Sequence, residues 1–336
     1  MSISHQSYTP PKYLQEDEVS QECKDLLSTL PKEKGWAEPH LYNYQGFWYL
    51  AWQFQGVLEC QKYFQAQDTD ILLISSPKCG TTWLKALAFT IINRNSHSIS
   101  NDHEQKHPLF YNNPHKLVPH LELESHINNP IFEPSSFSSS PSRLFATHLP
   151  YISLPKSAKA SSCKLVYICR DTKDTFISLW HFMNNLRSNH LGPNSLEEAF
   201  EMFCRGVSIF GPFWDHVLDY WKESKERPNK VLFLKYEEMR EDPNFHVKRL
   251  AEFFGVPFSL EEEGSRVVEK ITNLCSFENL SKLVVNKDGK LPSGVENKTF
   301  FRGGEVGDWK NYLSPEMVEQ LNRLNEEKFR GSRLEL

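Results

Sequence analysis

The sequence predicts an α/β fold: one domain with a central parallel sheet flanked by helices and a P-loop-like anion-binding loop. Three observations predict it. Ile71–Ser75 is a short apolar run ending in Ser-Ser-Pro, the pattern of a buried strand. A helix is expected from Thr81, because Leu84, Leu87, Ala88, Ile91 and Ile92 fall at i, i+3, i+4, i+7 and i+8, one stripe of a 3.6-residue period. Further apolar runs at Leu144–Thr147, Leu165–Cys169 and Val231–Lys235 alternate with helical patterns, which argues for a parallel sheet of about five strands.

The elements follow in order. Residues 1–40 form a polar N-terminal segment with a short helix around Ser20–Leu27, and residues 41–336 form the main domain. Tyr42–Phe64 is dense in aromatics, including Tyr44, Phe47, Trp48, Tyr49, Trp52 and Phe54, and is read as core or pocket wall. Residues 95–142 are a long irregular excursion with a Ser-rich tract, Ser135–Ser142. A loop of that length is often a functional lid. Asp171 caps a helix from Thr172 to about Leu186, and Asp174 suits its first turn. Helices are expected at Leu196–Arg205, Phe213–Lys225, Phe245–Phe254 and Pro315–Phe329.

The bulk properties narrow the class. The 336 residues carry a net charge of −5, and a nucleic-acid binder is usually basic, so no nucleic-acid partner is expected. No apolar run approaches the roughly 18 residues that cross a bilayer, and Met1–Leu30 lacks a signal-peptide pattern. A cytoplasmic protein without a membrane partner is expected. The seven cysteines include no CxxC pair, which fits reduced thiols. His97, His103, His107, His115, His120 and His126 cluster loosely without metal-ligand spacing. They are read as surface loop histidines, not as a zinc site.

The segment Ser75-Ser76-Pro77-Lys78-Cys79-Gly80-Thr81-Thr82-Trp83 lies between the first strand and its helix. Backbone N–H groups at a helix start are unpaired and the dipole is positive there. Gly80 lets an anion approach the backbone, Thr81 and Thr82 add hydroxyls, and Lys78 adds a charge. It is not a Walker A loop, in which Lys follows the second Gly; here Lys78 precedes Gly80.

PKCGTTW resembles the 5′-phosphosulfate loop of cytosolic sulfotransferases, with Cys79 in place of the usual Ser or Thr. Five further segments resemble signatures of that family. In Arg170–Ser178 the family holds the 3′-phosphate of 3′-phosphoadenosine 5′-phosphosulfate (PAPS) with the residues at Arg170 and Ser178; a guanidinium fork suits a phosphate. Phe301–Trp309 resembles the glycine-rich C-terminal signature, in which Arg302, Gly303 and Gly304 would wrap the same phosphate. Gly303 stands where the family usually has Lys, so one cation is missing. Thr147-His148-Leu149-Pro150 resembles the segment carrying the family's catalytic base, His148. Lys235–Met239 and Leu274–Phe277 resemble the nucleotide-contacting segments, with Tyr236, Cys275 and Phe277 beside the base. Trp83 and Phe277 either sandwich the adenine or serve as core aromatics.

The resemblance covers residues 40–330 or so and is strongest to plant members. It implies transfer of a sulfuryl group from PAPS to a hydroxyl of a small, largely apolar acceptor of flavonoid, steroid, jasmonate or desulfoglucosinolate type. His148 would take the hydroxyl proton, Lys78 would stabilise the leaving oxygen, and Ser178 would hold Lys78 back until the acceptor arrives. No metal is expected, and the protein would be a monomer or homodimer. The alternatives are a P-loop-type kinase and a non-catalytic nucleotide-binding protein.

Overall fold

The computed structural model describes residues 19–97, 107–123, 136–187 and 191–336. His103, His126 and the start of the Ser-rich tract lie outside them.

Among the described residues, seven strands form two sheets: β1 Lys32–Lys34, β2 His40–Tyr44, β3 Phe47–Tyr49, β4 Ile71–Ser75, β5 Leu144–Thr147, β6 Lys164–Cys169 and β7 Val231–Lys235. The central sheet is parallel, in the order β5-β4-β6-β7. It has four strands among the described residues, against about five expected; beyond β5 a single parallel bridge joins His120 to Ala146. The alternation along each strand divides the core between two faces. Leu72, Ile74, Phe145, Leu165 and Tyr167 pack on one side, and Ile71, Leu73, Ala146, Val166 and Ile168 on the other. Both faces are covered, as a parallel sheet requires.

The N-terminal aromatics enter the core as expected, with Tyr42, Phe47, Tyr49 and Phe54 buried there, and they do so as defined elements. They build the antiparallel sheet β1-β2-β3, whose β2–β3 turn places Gln45 at φ 55° and Gly46 at φ 88°. Positive φ at both central residues gives the twist that a two-residue hairpin needs. Helix α1, Gln21–Thr29, is capped by Ser20 and buries Cys23 and Leu27 in the same core as Trp36 and Tyr49. Helix α2, Ala51–Tyr63, continues from the hairpin. The described part of the polar N-terminal segment is therefore welded to the rest of the domain.

Helix α3, Thr81–Asn93, follows β4 and is buried on nearly all sides; even Lys85 is 0 % exposed. The helix Thr172–Leu186 follows β6, with the Asp171 carboxylate accepting from the N–H groups of Lys173 and Asp174. Because all four central strands run the same way, the residues after Ser75, Thr147, Cys169 and Lys235 emerge along one edge of the sheet. Ligand crevices of parallel sheets lie at that edge.

Candidate active site

The four strand ends and two C-terminal segments meet in one cleft, lined by Lys78, Gly80, Thr81, Thr82, Trp83, His148, Arg170, Ser178, Tyr236, Cys275, Phe277, Arg302, Gly303 and Gly304. These are the expected site residues except Cys79, which does not line the cleft. Its buried thiol turns away, 3.6 Å from Thr175 Oγ1, and burial pushes its pKa up to about 12. Its backbone N–H is taken by the Ser76 carbonyl at 3.4 Å. The residue that replaces Ser or Thr therefore costs the cleft no inward-facing hydroxyl.

The loop Pro77–Trp83, expected to hold phosphate, is set by its backbone. Gly80 caps α3 at φ 106°, and a Cβ there would meet the Tyr236 ring at 2.8 Å. Lys78 also sits at positive φ, 71°, a conformation that costs a non-glycine residue on the order of 1 kcal/mol and tends to occur at functional sites. It turns the ammonium over the Phe182 ring, 4.2 Å from the centroid, with Phe300 at 5.8 Å. The ammonium thus rests between two aromatic rings, and no hydrogen bond joins it to Ser178 among the described residues. Burial, helped by Arg302 and Arg170, lowers the Lys78 pKa to about 7. Ser75 Oγ and Thr81 Oγ1, 2.6 Å apart, tie the strand to the helix start.

His148 lies beside this loop. Its Nδ1 is 2.8 Å from the Ser75 carbonyl oxygen, which can only accept, so Nδ1 carries the proton and Nε2 is left as the basic nitrogen. The ring packs 5.5 Å from Phe210, which in turn contacts Tyr49 of the hairpin. The buried Glu122 carboxylate accepts from the His148 backbone N–H and from Thr147 Oγ1, both at 2.7 Å; burial raises its pKa to about 7. Burial lowers the His148 pKa to about 3, with the Lys85 charge adding to the effect, so the ring is neutral at physiological pH.

The opposite end of the cleft is tied together by Asp174. Its carboxylate accepts from the backbone N–H of Gly307 at 2.7 Å and Trp309 at 3.1 Å, and lies 3.4 Å from Arg170 Nη2. Arg170 also donates to the Glu305 carbonyl and stacks on Tyr236, while Tyr236 donates to the Gly304 carbonyl at 2.9 Å. Arg302 pairs with Asp308 at 2.6 Å. Both guanidinium groups thus have carboxylate partners, yet the buried Arg170 Nε has no acceptor among the described residues. An orphaned, buried cationic N–H on a residue that lines the cleft suits an anion. Gly304 sits at φ 69°, and a Cβ there would strike Phe277 at 2.6 Å; Phe277 and Trp83 both face the cleft.

The sequence reading misplaced three histidines. His107, His115 and His120 are buried, not on the surface. His115 and His120 stack with ring centroids 5.5 Å apart, and His120 lies 4.8 Å from His148. Both Nδ1 atoms contact Lys85 Nζ, at 3.1 and 2.8 Å. Phe182, Arg240 and Phe300 are further lining residues the sequence reading passed over. Phe300 directly precedes the C-terminal signature, and Phe182 stands one helical turn beyond Ser178, so proximity to the motifs was the available signal.

Residues 68–333 match the sulfotransferase domain family. Cytosolic sulfotransferase 6 of Arabidopsis thaliana is 52% identical over 319 residues, covering 95% of this chain and 96% of its own. Cytosolic sulfotransferase 5 of the same plant is 51% identical over 318 residues, covering 95% and 97%. Among solved structures, an Arabidopsis putative steroid sulphotransferase superposes with a TM-score of 0.74 at 44% identity, covering 98% of this chain and all of its own. A mouse sulfotransferase complexed with PAP, the desulfated nucleotide, superposes with a TM-score of 0.65 at 27% identity, covering 87% and 95%. The relatives are named as cytosolic, in line with the expected location. The kinase alternative falls away, and the chain belongs to the sulfotransferase family, among the PAPS-dependent cytosolic enzymes of plants.

Proposed function

We propose that the protein moves a sulfuryl group from PAPS to a hydroxyl of a small, largely apolar molecule, with His148 as general base. The observation that carries this reading is the pairing of two anion sites in one cleft. The Lys78–Trp83 loop suits the phosphosulfate end, and Arg170, Ser178 and Arg302–Gly304 suit a second phosphate beyond the ribose. Phe182, Phe300 and Phe210 give the neighbourhood of His148 an aromatic lining suited to a phenolic, flavonoid or steroid-type acceptor. Jasmonate derivatives and desulfoglucosinolates remain in the same acceptor class.

In the transfer, His148 Nε2 takes the acceptor hydroxyl proton as the new S–O bond forms. Lys78 stabilises the charge that develops on the oxygen leaving with the nucleotide, as the bridging S–O bond breaks. The N–H groups at the start of α3 hold the phosphate during this exchange. No metal is assigned a step.

Calorimetry with PAP and AMP tests the two-anion reading. A hydrogen bond to a charged group contributes about 1.5–3 kcal/mol. Arg170 and Arg302 must loosen Asp174 and Asp308 to make theirs, which reduces the gain. PAP should therefore bind at least about thirtyfold more tightly than AMP, roughly 2 kcal/mol. Equal affinities would overturn the assignment of the second phosphate, and an acceptor panel with labelled donor would separate an enzyme from a mere nucleotide binder.

A further inference from the structure

The buried group made by Lys85, His115 and His120 is not used by the mechanism above. Lys85 comes from α3 one turn into the helix, and the two histidines come from the excursion that follows it. A buried ammonium is costly, and if it served packing alone an apolar side chain would do as well or better. Its placement is specific: it faces Nδ1 of His115 at 3.1 Å and Nδ1 of His120 at 2.8 Å. Nε2 of His115 lies 2.9 Å from Thr82 Oγ1, in the phosphate loop.

We propose that Lys85 is a positioning residue that fixes the tautomer of His115, and through it aims the Thr82 hydroxyl hydrogen into the cleft. An ammonium only donates, so both Nδ1 atoms must accept from it. Burial and the nearby Lys85 charge hold the His115 pKa well below its ordinary value, so the ring carries a single proton. With Nδ1 accepting, that proton sits on Nε2 and is donated to Thr82 Oγ1. The hydroxyl's own hydrogen is then free for an acceptor in the cleft that Thr82 lines. With the opposite tautomer, Thr82 would donate to His115 and present only a lone pair to an incoming phosphate oxygen. His120, clamping Lys85 from the other side, keeps the ammonium from turning away.

This proposal rests on the loop receiving the 5′ end of the nucleotide, and its test separates the two. Nitrogen NMR of histidine-labelled protein, with His115→Phe identifying the signals, should show protonated Nε2 at His115 in the unaltered protein. In Lys85→Met that preference should be lost. PAP and AMP should both bind about ten- to a hundredfold more weakly to Lys85→Met, the worth of one hydrogen bond to a charged group. Adenosine 3′-phosphate, which lacks the 5′ group, should bind unchanged. In a Thr82→Val background, Lys85→Met should add little, because the hydroxyl it acts through is gone. Should Lys85→Met fail to fold, the His115 tautomer in the unaltered protein, and a loss for the two 5′-phosphates but not for adenosine 3′-phosphate in Thr82→Val, keep the proposal open to refutation. A proton on His115 Nδ1, unchanged PAP affinity in Lys85→Met, or fully additive effects of Lys85 and Thr82 would each overturn the proposal. Equal binding of PAP and AMP to the unaltered protein would instead strike the second-phosphate assignment and leave the tautomer result standing.

Discussion

The two ends of the cleft are built in opposite ways. The end proposed to take the phosphosulfate is one contiguous segment, Pro77–Trp83, fixed between a strand and a helix by the left-handed turns at Lys78 and Gly80 and by the Ser75–Thr81 contact. The far end is assembled from the end of β6, the helix behind it and a loop near the C-terminus, and a single carboxylate, Asp174, joins them. The first is shaped by local backbone geometry, the second by tertiary contacts. A locally fixed site is pre-organised and suits chemistry, where small displacements are expensive. A site closed by a loop can open to admit and release a large nucleotide, and suits affinity. Substitutions of the two groups proposed to act on the reacting atoms, Lys78 and His148, should therefore lower turnover, and those at the far end should weaken donor binding.

The largest effect is expected at His148. His148→Ala removes the proposed base and should lower kcat by about 10²–10⁴ with an unactivated alcohol, while PAP still binds. Wild-type turnover in that variant would make His148 structural. The ring titrates near 3, so it stays neutral as pH falls to about 5, and protonation of His148 should cause no acid limb above that point.

Lys78→Ala should follow, with kcat lowered about 10²–10³ and PAP affinity changed far less. Its pH dependence sharpens the contrast between the ends. With a lowered pKa of about 7 in the free protein, the useful charge is present below that pH and is lost as pH rises through it. The kcat/KM profile for the donor should fall on the alkaline side from about pH 7 in the unaltered protein. Lys78→Arg should remove that limb, since a guanidinium keeps its proton. A flat alkaline profile would mean Lys78 remains charged.

Asp174→Asn probes the assembled end. The amide keeps the shape but weakens the links to Gly307, Trp309 and Arg170 together, so PAP should bind about tenfold more weakly or worse. AMP affinity and saturated turnover should hardly move. A matching loss for AMP would show that the two ends are mechanically coupled rather than separable.

The difference between the ends also explains what the sequence disclosed. The near end could be read because strand, turn residue and helix follow one another along the chain. The parallel strands were recoverable from apolar runs for the same reason. The hairpin Phe47–Tyr49 with His40–Tyr44 was passed over because its aromatics read as filling; the Gln45-Gly46 pair between two aromatic runs was the overlooked turn signal. Lys85 sits at the edge of the apolar stripe of α3, three residues before Ala88 and seven before Ile92, and was passed over because a helix lysine is ordinarily solvated. The signal against that was the helix as a whole, nearly apolar all round, which belongs in a core. His115 and His120 gave no such sign: a buried histidine and a surface one look alike until the partner, here a lysine thirty or more positions earlier in the chain, is placed beside them. Glu122 was silent in the same way.

The smallest effect tests whether the far end has been altered in this chain. Gly303 stands in the glycine-rich loop where the resembling family usually has Lys. Its backbone is not at positive φ, and a Cβ there would meet nothing within 4 Å, so Gly303→Lys should fit without strain. The new ammonium would join a rim whose Arg302 side chain is 29% exposed and already paired with Asp308. Water and salt screen a charge in such a place, and pairs of that kind contribute about 0–1 kcal/mol. PAP affinity should rise by a few-fold at most, the gain should shrink as salt is added, and AMP affinity should stay the same. The gain should vanish in Asp174→Asn, where the loop no longer holds the lysine over the phosphate. A gain that survives both salt and the loosened loop would place the added charge on the phosphosulfate end and dissolve the division between the two.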